Sequence, residues 1–223
     1  GFVPTLKQSL KEGKVTQAQI DAASRRILEA KYKLGLFTDP YRYLDTTRAI
    51  REIFTDAHRR VARSTAAQSF VLLKNQNNVL PLKKSGTIAL VGPLADNKVN
   101  MPGTWSVTAN HAKSTSVLEG IRSVVGNAVN IITARGTNIY TDSALDARAA
   151  MFGKTTGRDP RPDSTMIAQA VRVSGGADVI VAVLGESAEM SGESSSRTDI
   201  GLPQNQQDLL KALLATGKPV VLE

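Results

Sequence analysis

The run Val179-Ile180-Val181-Ala182-Val183-Leu184 constrains this chain more than any other stretch. Six consecutive apolar residues leave no face for water, which is the pattern of a strand buried on both sides of a parallel sheet. The run stops at Gly185, and a polar loop follows with Glu186, Glu189, Glu193, Arg197 and Asp199. Pro203 then opens a helix marked by Leu209, Leu210, Leu213 and Leu214. Ligands of open α/β sheets bind beyond the carboxyl ends of strands, where such a loop lies. By composition alone, three glutamates there are as readily a solvated acidic loop as a site.

The rest of the chain supplies what a doubly buried strand needs. Strands are expected at 88–91, 129–134 and 219–222, alternating with helices at 117–125, near 142–151 and at 165–173. Ser116 and Glu119 form a capping-box pattern, and Gly126 stops the helix they open. Long loops are expected at 92–115 and 154–163. This alternation implies an α/β fold, a mostly parallel sheet between two helical layers, an αβα sandwich left incomplete in this stretch.

The first third reads differently. Helices are expected at 4–12 and 17–34, the second with Thr16 and Gln19 as a capping box and Gly35 at its end. With no strand between them, they look like the outer shell of another structure. Residues 36–50 read as a packed linker and 56–68 as a helix capped by Thr55. The apolar runs 70–73 and 79–82, around Gln76-Asn77-Asn78, suggest a hairpin. The chain starts at Gly1-Phe2 and ends within a predicted strand, so it reads as part of a longer protein, with any export signal outside it.

Composition excludes several classes. No apolar run approaches a membrane span, and with no cysteine there are neither disulfides nor thiolate metal sites. His58 and His111 stand singly without metal-ligand spacing, so no metal site is expected; His111 is within plausible reach of the loop site. The net charge of +8 is concentrated in residues 1–80, which carry +7 of it. Those basic residues are scattered along amphipathic helices without interleaved aromatics. They describe a solvated face, or one meeting an acidic neighbour, rather than a nucleic-acid surface. No phosphate-binding glycine loop and no Gly-x-Ser-x-Gly elbow is present.

Several stretches together carry a family resemblance. Gly185-Glu186, Gly192-Glu193-Ser194-Ser195-Ser196-Arg197-Thr198-Asp199 and Leu202-Pro203 with Gln206 or Gln207 resemble the second domain of family 3 glycoside hydrolases. The likeness is greatest to the bacterial periplasmic β-glucosidase branch. Ser69–Asn75 with Leu80-Pro81-Leu82, and Ile88–Pro93 followed by Gly103-Thr104-Trp105, agree in order and spacing.

The resemblance implies a retaining, exo-acting β-glucosidase that removes terminal β-linked glucose without a cofactor. Residues 1–35 would then be the last helices of a (β/α)8 barrel, 36–82 the linker, and 83–223 the αβα sandwich. Retaining hydrolysis needs a nucleophilic carboxylate and a second carboxyl acting as acid and then base. The family takes the nucleophile from the barrel and the acid/base from the sandwich, which places the latter on Glu193, with Glu186 and Glu189 as rivals. The acid must hold its proton near neutral pH, which calls for desolvation or nearby negative charge.

Trp105 would wall the sugar site, its ring meeting the C–H face of a sugar, the alternative being a plug in the core. Glu186 would bind a hydroxyl or brace the loop, and Arg197 with Asp199 would form a charge pair fixing it. The implied partners are a carbohydrate substrate and the remaining barrel, with no nucleic acid or membrane; the implied location is periplasmic or secreted. The competing reading is a non-catalytic sugar-binding or scaffold α/β module.

Overall fold

A computed structural model describes residues 1–106, 109–144, 157–193 and 195–223. It divides into two compact units, 1–73 and 74–223.

The first unit holds four helices: α1 (Phe2–Lys11), α2 (Gln17–Lys33), α3 (Arg48–Glu52) and α4 (Asp56–Ser69). The α2 start follows the sequence pattern, with the Gln19 amide donating to Thr16 Oγ1 and the Gln19 side chain accepting from the Thr16 amide. Thr55 caps α4 by accepting from the His58 amide. The helix α3 lies where only a linker was expected. None of residues 1–73 is buried. Phe2, Ile27, Leu28, Tyr32 and Phe37 are exposed, and a groove of about 580 Å³ along α2 is lined partly by Leu28, Tyr32 and Phe37.

The expected hairpin over 70–82 is not formed. The segment is irregular around a single 3-10 turn, Gln76–Asn78. The Asn75 side chain takes the place of a strand partner, accepting from the Leu80 amide at 3.0 Å and donating to its carbonyl at 2.9 Å.

The second unit is built on four strands: β1 (Gly86–Val91), β2 (Val129–Ala134), β3 (Val179–Ala182) and β4 (Val220–Leu222). All pairings are parallel, in the order β2-β1-β3-β4. The helices are α5 (Val117–Val125), α6 (Asp163–Ser174) and α7 (Gln204–Leu214). Ser116 and Glu119 form the expected capping box on α5, worth about 1 kcal/mol. The helix expected near 142–151 lies largely outside the described residues.

The apolar run at 179–184 behaves as its composition requires. Ile180, Ala182 and Leu184 join Ala89 and Val91 in a core with Ala170 of α6 and Leu209 and Leu213 of α7. Val181 and Val183 face the other way, with Ile88 and Leu90 against Leu118 of α5. One helical layer therefore covers each face, an αβα sandwich. The period of two along β1 and β3 assigns alternate residues to opposite layers.

The strand order creates a switch point. From β1 the chain crosses outward to β2, and from β3 it crosses in the opposite direction to β4, so the loops leaving β1 and β3 diverge from adjacent strand ends. Gly92 marks the spot. Its φ of 135° is in the region that favours glycine, and a Cβ there would collide with the Val183 carbonyl. Gly92→Ala should cost at least ~2 kcal/mol through strain and overpacking. Gly120→Ala, in the middle of α5 where a Cβ meets open space, should instead add about 0.5–1 kcal/mol. Denaturant midpoints of the two variants, read in the full-length protein, should move in opposite directions.

Candidate active site

Three loops converge at the carboxyl edge of the sheet: 92–115 after β1, the segment beginning at Arg135 after β2, and 183–203 after β3. Contacts among them are polar and specific. The Ala188 amide donates to Asn100 Oδ1 at 2.8 Å, and Asn100 is itself held by Asn97 Oδ1 through its amide and side chain. The Tyr140 and Ser187 hydroxyls are hydrogen-bonded in the interior, joining the β2 loop to the β3 loop.

Glu193 sits in a turn closed by the Ser195 amide on the Gly192 carbonyl at 3.2 Å. Ser195 Oγ also donates to the Glu189 carbonyl at 2.9 Å, folding the loop tip back on its own stem. Gly192 has a φ of 121°, and a Cβ there would lie 2.7 Å from the Thr104 side chain. Glycine thus lets the turn carrying Glu193 close onto the residue just before Trp105. The sequence reading placed these two residues on separate loops; the structure brings the loops together at one point.

Trp105 is 70% exposed, so it does not plug the core. Glu193 is also exposed. The desolvation expected of an acid is therefore absent in this structure. Glu189 is half-buried in the stem.

The loop supports differ from those expected. Arg197 forms its ion pair with Glu186, not with Asp199. Its second amino group donates to the Gly201 carbonyl at 2.8 Å. Asp199 accepts from the Gly201 amide at 2.7 Å. Arg197 and Asp199 therefore both act on the loop, but through the two backbone groups of Gly201. Because Arg197 also holds Glu186, it links the first charged residue of the loop to its exit. The Glu186 carboxylate is engaged in this tie.

Two residues without an assigned part hold the floor of the site. Gln206, in the first turn of α7, is fully buried. Its Oε1 accepts from the Gly185 amide at 2.9 Å, and its Nε2 donates to the carbonyls of Gly185 at 2.8 Å and Ile139 at 3.0 Å. Asn205 donates to Thr137 Oγ1 and the Asn138 carbonyl, each at 2.7 Å. Asp163, at the start of α6, accepts from Thr137 Oγ1 at 2.9 Å and from the Asn138 amide at 3.2 Å. Asn138 and Asp159 continue the network, with the Arg161 guanidinium holding the Asp159 carboxyl well below the usual carboxylate range. At the same edge, partial burial pushes the Glu223 carboxyl up, while its carbonyl accepts from the Leu184 amide at 3.0 Å.

Among the described residues no group of three His, Asp or Glu side chains could hold a metal ion. No described helix is long and apolar enough to cross a membrane. What the loops offer chemically is an exposed carboxyl at the tip of a braced turn, an aromatic face on the neighbouring loop, and an ion pair at the base.

Residues 70–223 match the Glycosyl hydrolase family 3 C-terminal domain. The chain is 46% identical over 217 residues to a periplasmic beta-glucosidase of Salmonella typhimurium, covering 96% of this chain and 28% of that protein. It is 34% identical to a beta-xylosidase of Formosa agariphila, with 97% and 28% covered. A solved beta-glucosidase from Listeria innocua, in complex with isofagomine, superposes with a TM-score of 0.74 at 33% identity, over 97% of this chain and 27% of that one. The chain spans little more than a quarter of the length of these relatives. It belongs to glycoside hydrolase family 3, with residues 70–223 forming the C-terminal domain of that family.

Proposed function

We propose that this chain is part of an exported, retaining β-glucosidase and supplies its general acid/base, Glu193. The observation that carries the reading is the placement of Glu193. It stands at the tip of a turn whose stem and base are braced, beside the loop of the only tryptophan, at the switch point where α/β sheets bind ligands. Family membership supplies the reaction class.

In the proposed reaction a carboxylate from the rest of the enzyme attacks the anomeric carbon while Glu193 gives its proton to the departing oxygen. Glu193 then takes a proton from the water that releases the sugar. The exposure of Glu193 fits an acid whose low-dielectric surroundings arrive with the substrate and with the remaining barrel. Enclosure of that kind would supply the desolvation that a general acid needs. The exposed Trp105 ring offers a face for the leaving group.

The same reading assigns residues 1–35 to the end of the barrel and 36–82 to the linker. The exposed apolar side chains of α1 and α2, and the groove along α2, are the surface that the remaining barrel would cover. The relative named periplasmic supports export to the periplasm.

In the full-length enzyme, Glu193→Ala should slow phenyl β-glucoside at least ~100-fold more than dinitrophenyl β-glucoside, because only the poor leaving group needs the proton. Azide should restore turnover of the activated substrate and yield a β-glycosyl azide. Equal slowing of both substrates, or the full pattern in Glu189→Ala instead, would move the acid off Glu193. No change in either would favour the non-catalytic module.

Trp105→Ala should weaken disaccharide turnover by roughly tenfold and small aryl glucosides by less, as expected for the loss of one packed aromatic face. Because the ring is exposed, the melting temperature should hardly move.

Residues 1–223 alone should not hydrolyse nitrophenyl β-glucoside, since the proposed nucleophile lies in the barrel. Turnover by the purified chain that Glu193→Ala abolishes would overturn that division of labour.

A further inference from the structure

We propose that Gln206 is a positioning residue for the acid/base loop, an inference that rests on reading the loop 186–201 as the carrier of the acid. Gly185 lies three residues past β3 and ends the apolar run, and its φ of 152° is in the region that favours glycine. Both of its backbone groups are taken by one side chain: its amide by Gln206 Oε1 at 2.9 Å and its carbonyl by Nε2 at 2.8 Å. The orientation of the amide is fixed by its partners. The flipped form would aim the oxygen at two carbonyls and Nε2 at an N–H. The third bond, to the Ile139 carbonyl at 3.0 Å, locks the β2 loop to the same point.

That double grip sets the direction in which the chain leaves the sheet. Glu186 follows at once, and through Arg197 it fixes the loop exit at Gly201. Glu193 is carried between these two anchors. A small rotation at Gly185 is multiplied along the loop, and a displacement near 1 Å at a reacting group can cost about 100-fold in rate. Leu209 and Leu213 hold α7 in the core one and two turns further on, so Gln206 refers the loop to a helix packed against the sheet. Gln206 is fully buried and all its side-chain hydrogen bonds go to backbone groups, so it acts through the backbone alone.

The test uses the full-length enzyme and three variants. Gln206→Met keeps the volume but leaves the Gly185 and Ile139 groups without partners, and Gln206→Glu keeps the acceptor but only one donor at most. Ile88→Ala, a buried site of β1 on the sheet face opposite α7, controls for loss of stability alone. Rates on phenyl and dinitrophenyl β-glucosides are compared at a temperature where each variant is folded. Gln206→Met should lose roughly 10- to 100-fold in kcat/KM on phenyl and only a few-fold on dinitrophenyl β-glucoside, because kcat/KM reports the first, proton-requiring step alone. Ile88→Ala should lower the melting temperature and leave the ratio of the two substrates unchanged.

Equal losses on both substrates, or a ratio no different from that of Ile88→Ala, overturn the proposal. If Gln206→Met does not fold, Gln206→Glu is read by the same ratio. If neither folds where Ile88→Ala does, the side chain is a fold determinant and the proposal falls. Glu193→Ala measured alongside separates the two readings. A normal ratio there, with an altered one in Gln206→Met, leaves Gln206 as the positioning residue and assigns the acid to another loop glutamate.

Discussion

A parallel strand buried on both faces ends with backbone groups that neither the sheet nor water can satisfy, and in this domain everything beyond the sheet edge answers to that constraint. The cost of leaving such groups unpaired is of the order of 1–3 kcal/mol each. Amide and carboxylate side chains from the first turns of α6 and α7 meet it: Asp163, Asn205 and Gln206 reach the backbone just past β2 and β3. The polar groups that keep the strand ends from being a defect are the same ones that hold the loops in place. Stability and site geometry therefore share a single network.

Much of the architecture was legible because it is local or periodic. The capping boxes at Thr16 and Ser116 involve residues three apart, and both form. The apolar run at 179–184 had no polar alternation, so burial on both faces followed from its composition. The family motif marked the loop of Glu193. What failed was whatever depends on a side chain replacing a backbone partner. Residues 70–82 have the pattern of a hairpin, but the carboxamide of Asn75 pairs with Leu80 and removes the need for a second strand.

The site shows the same limit at longer range. Arg197 and Asp199 stand two residues apart with opposite charges, yet both turn toward Gly201, and Arg197 finds its carboxylate at Glu186 instead. Sequence proximity favours the nearer carboxylate only when the backbone between the two residues does not compete for them. Gln206 enters the sequence pattern only as an alternative to Gln207 in the motif, and Asn205 not at all. Both are buried because α7 begins beneath the loops; Gln206 stands three and seven residues before Leu209 and Leu213, on the face they bury, but that spacing does not say which backbone groups its amide meets.

Arg197 joins the two ends of the loop, while the tip closes on itself through Gly192, Ser195 and Glu189. Base and tip are thus separate mechanical units. A hairpin pinned at its root can be lengthened, shortened or exchanged beyond the pin without disturbing the scaffold, as a tool bit is changed in a fixed chuck. Variation between Ser191 and Ser196, beyond the buried Ser187 and Ala188, would then alter how far the carboxyl reaches over the sheet edge while the sheet and its helices stay as they are; on the role proposed for Glu193, that reach sets the size of aglycone it can serve.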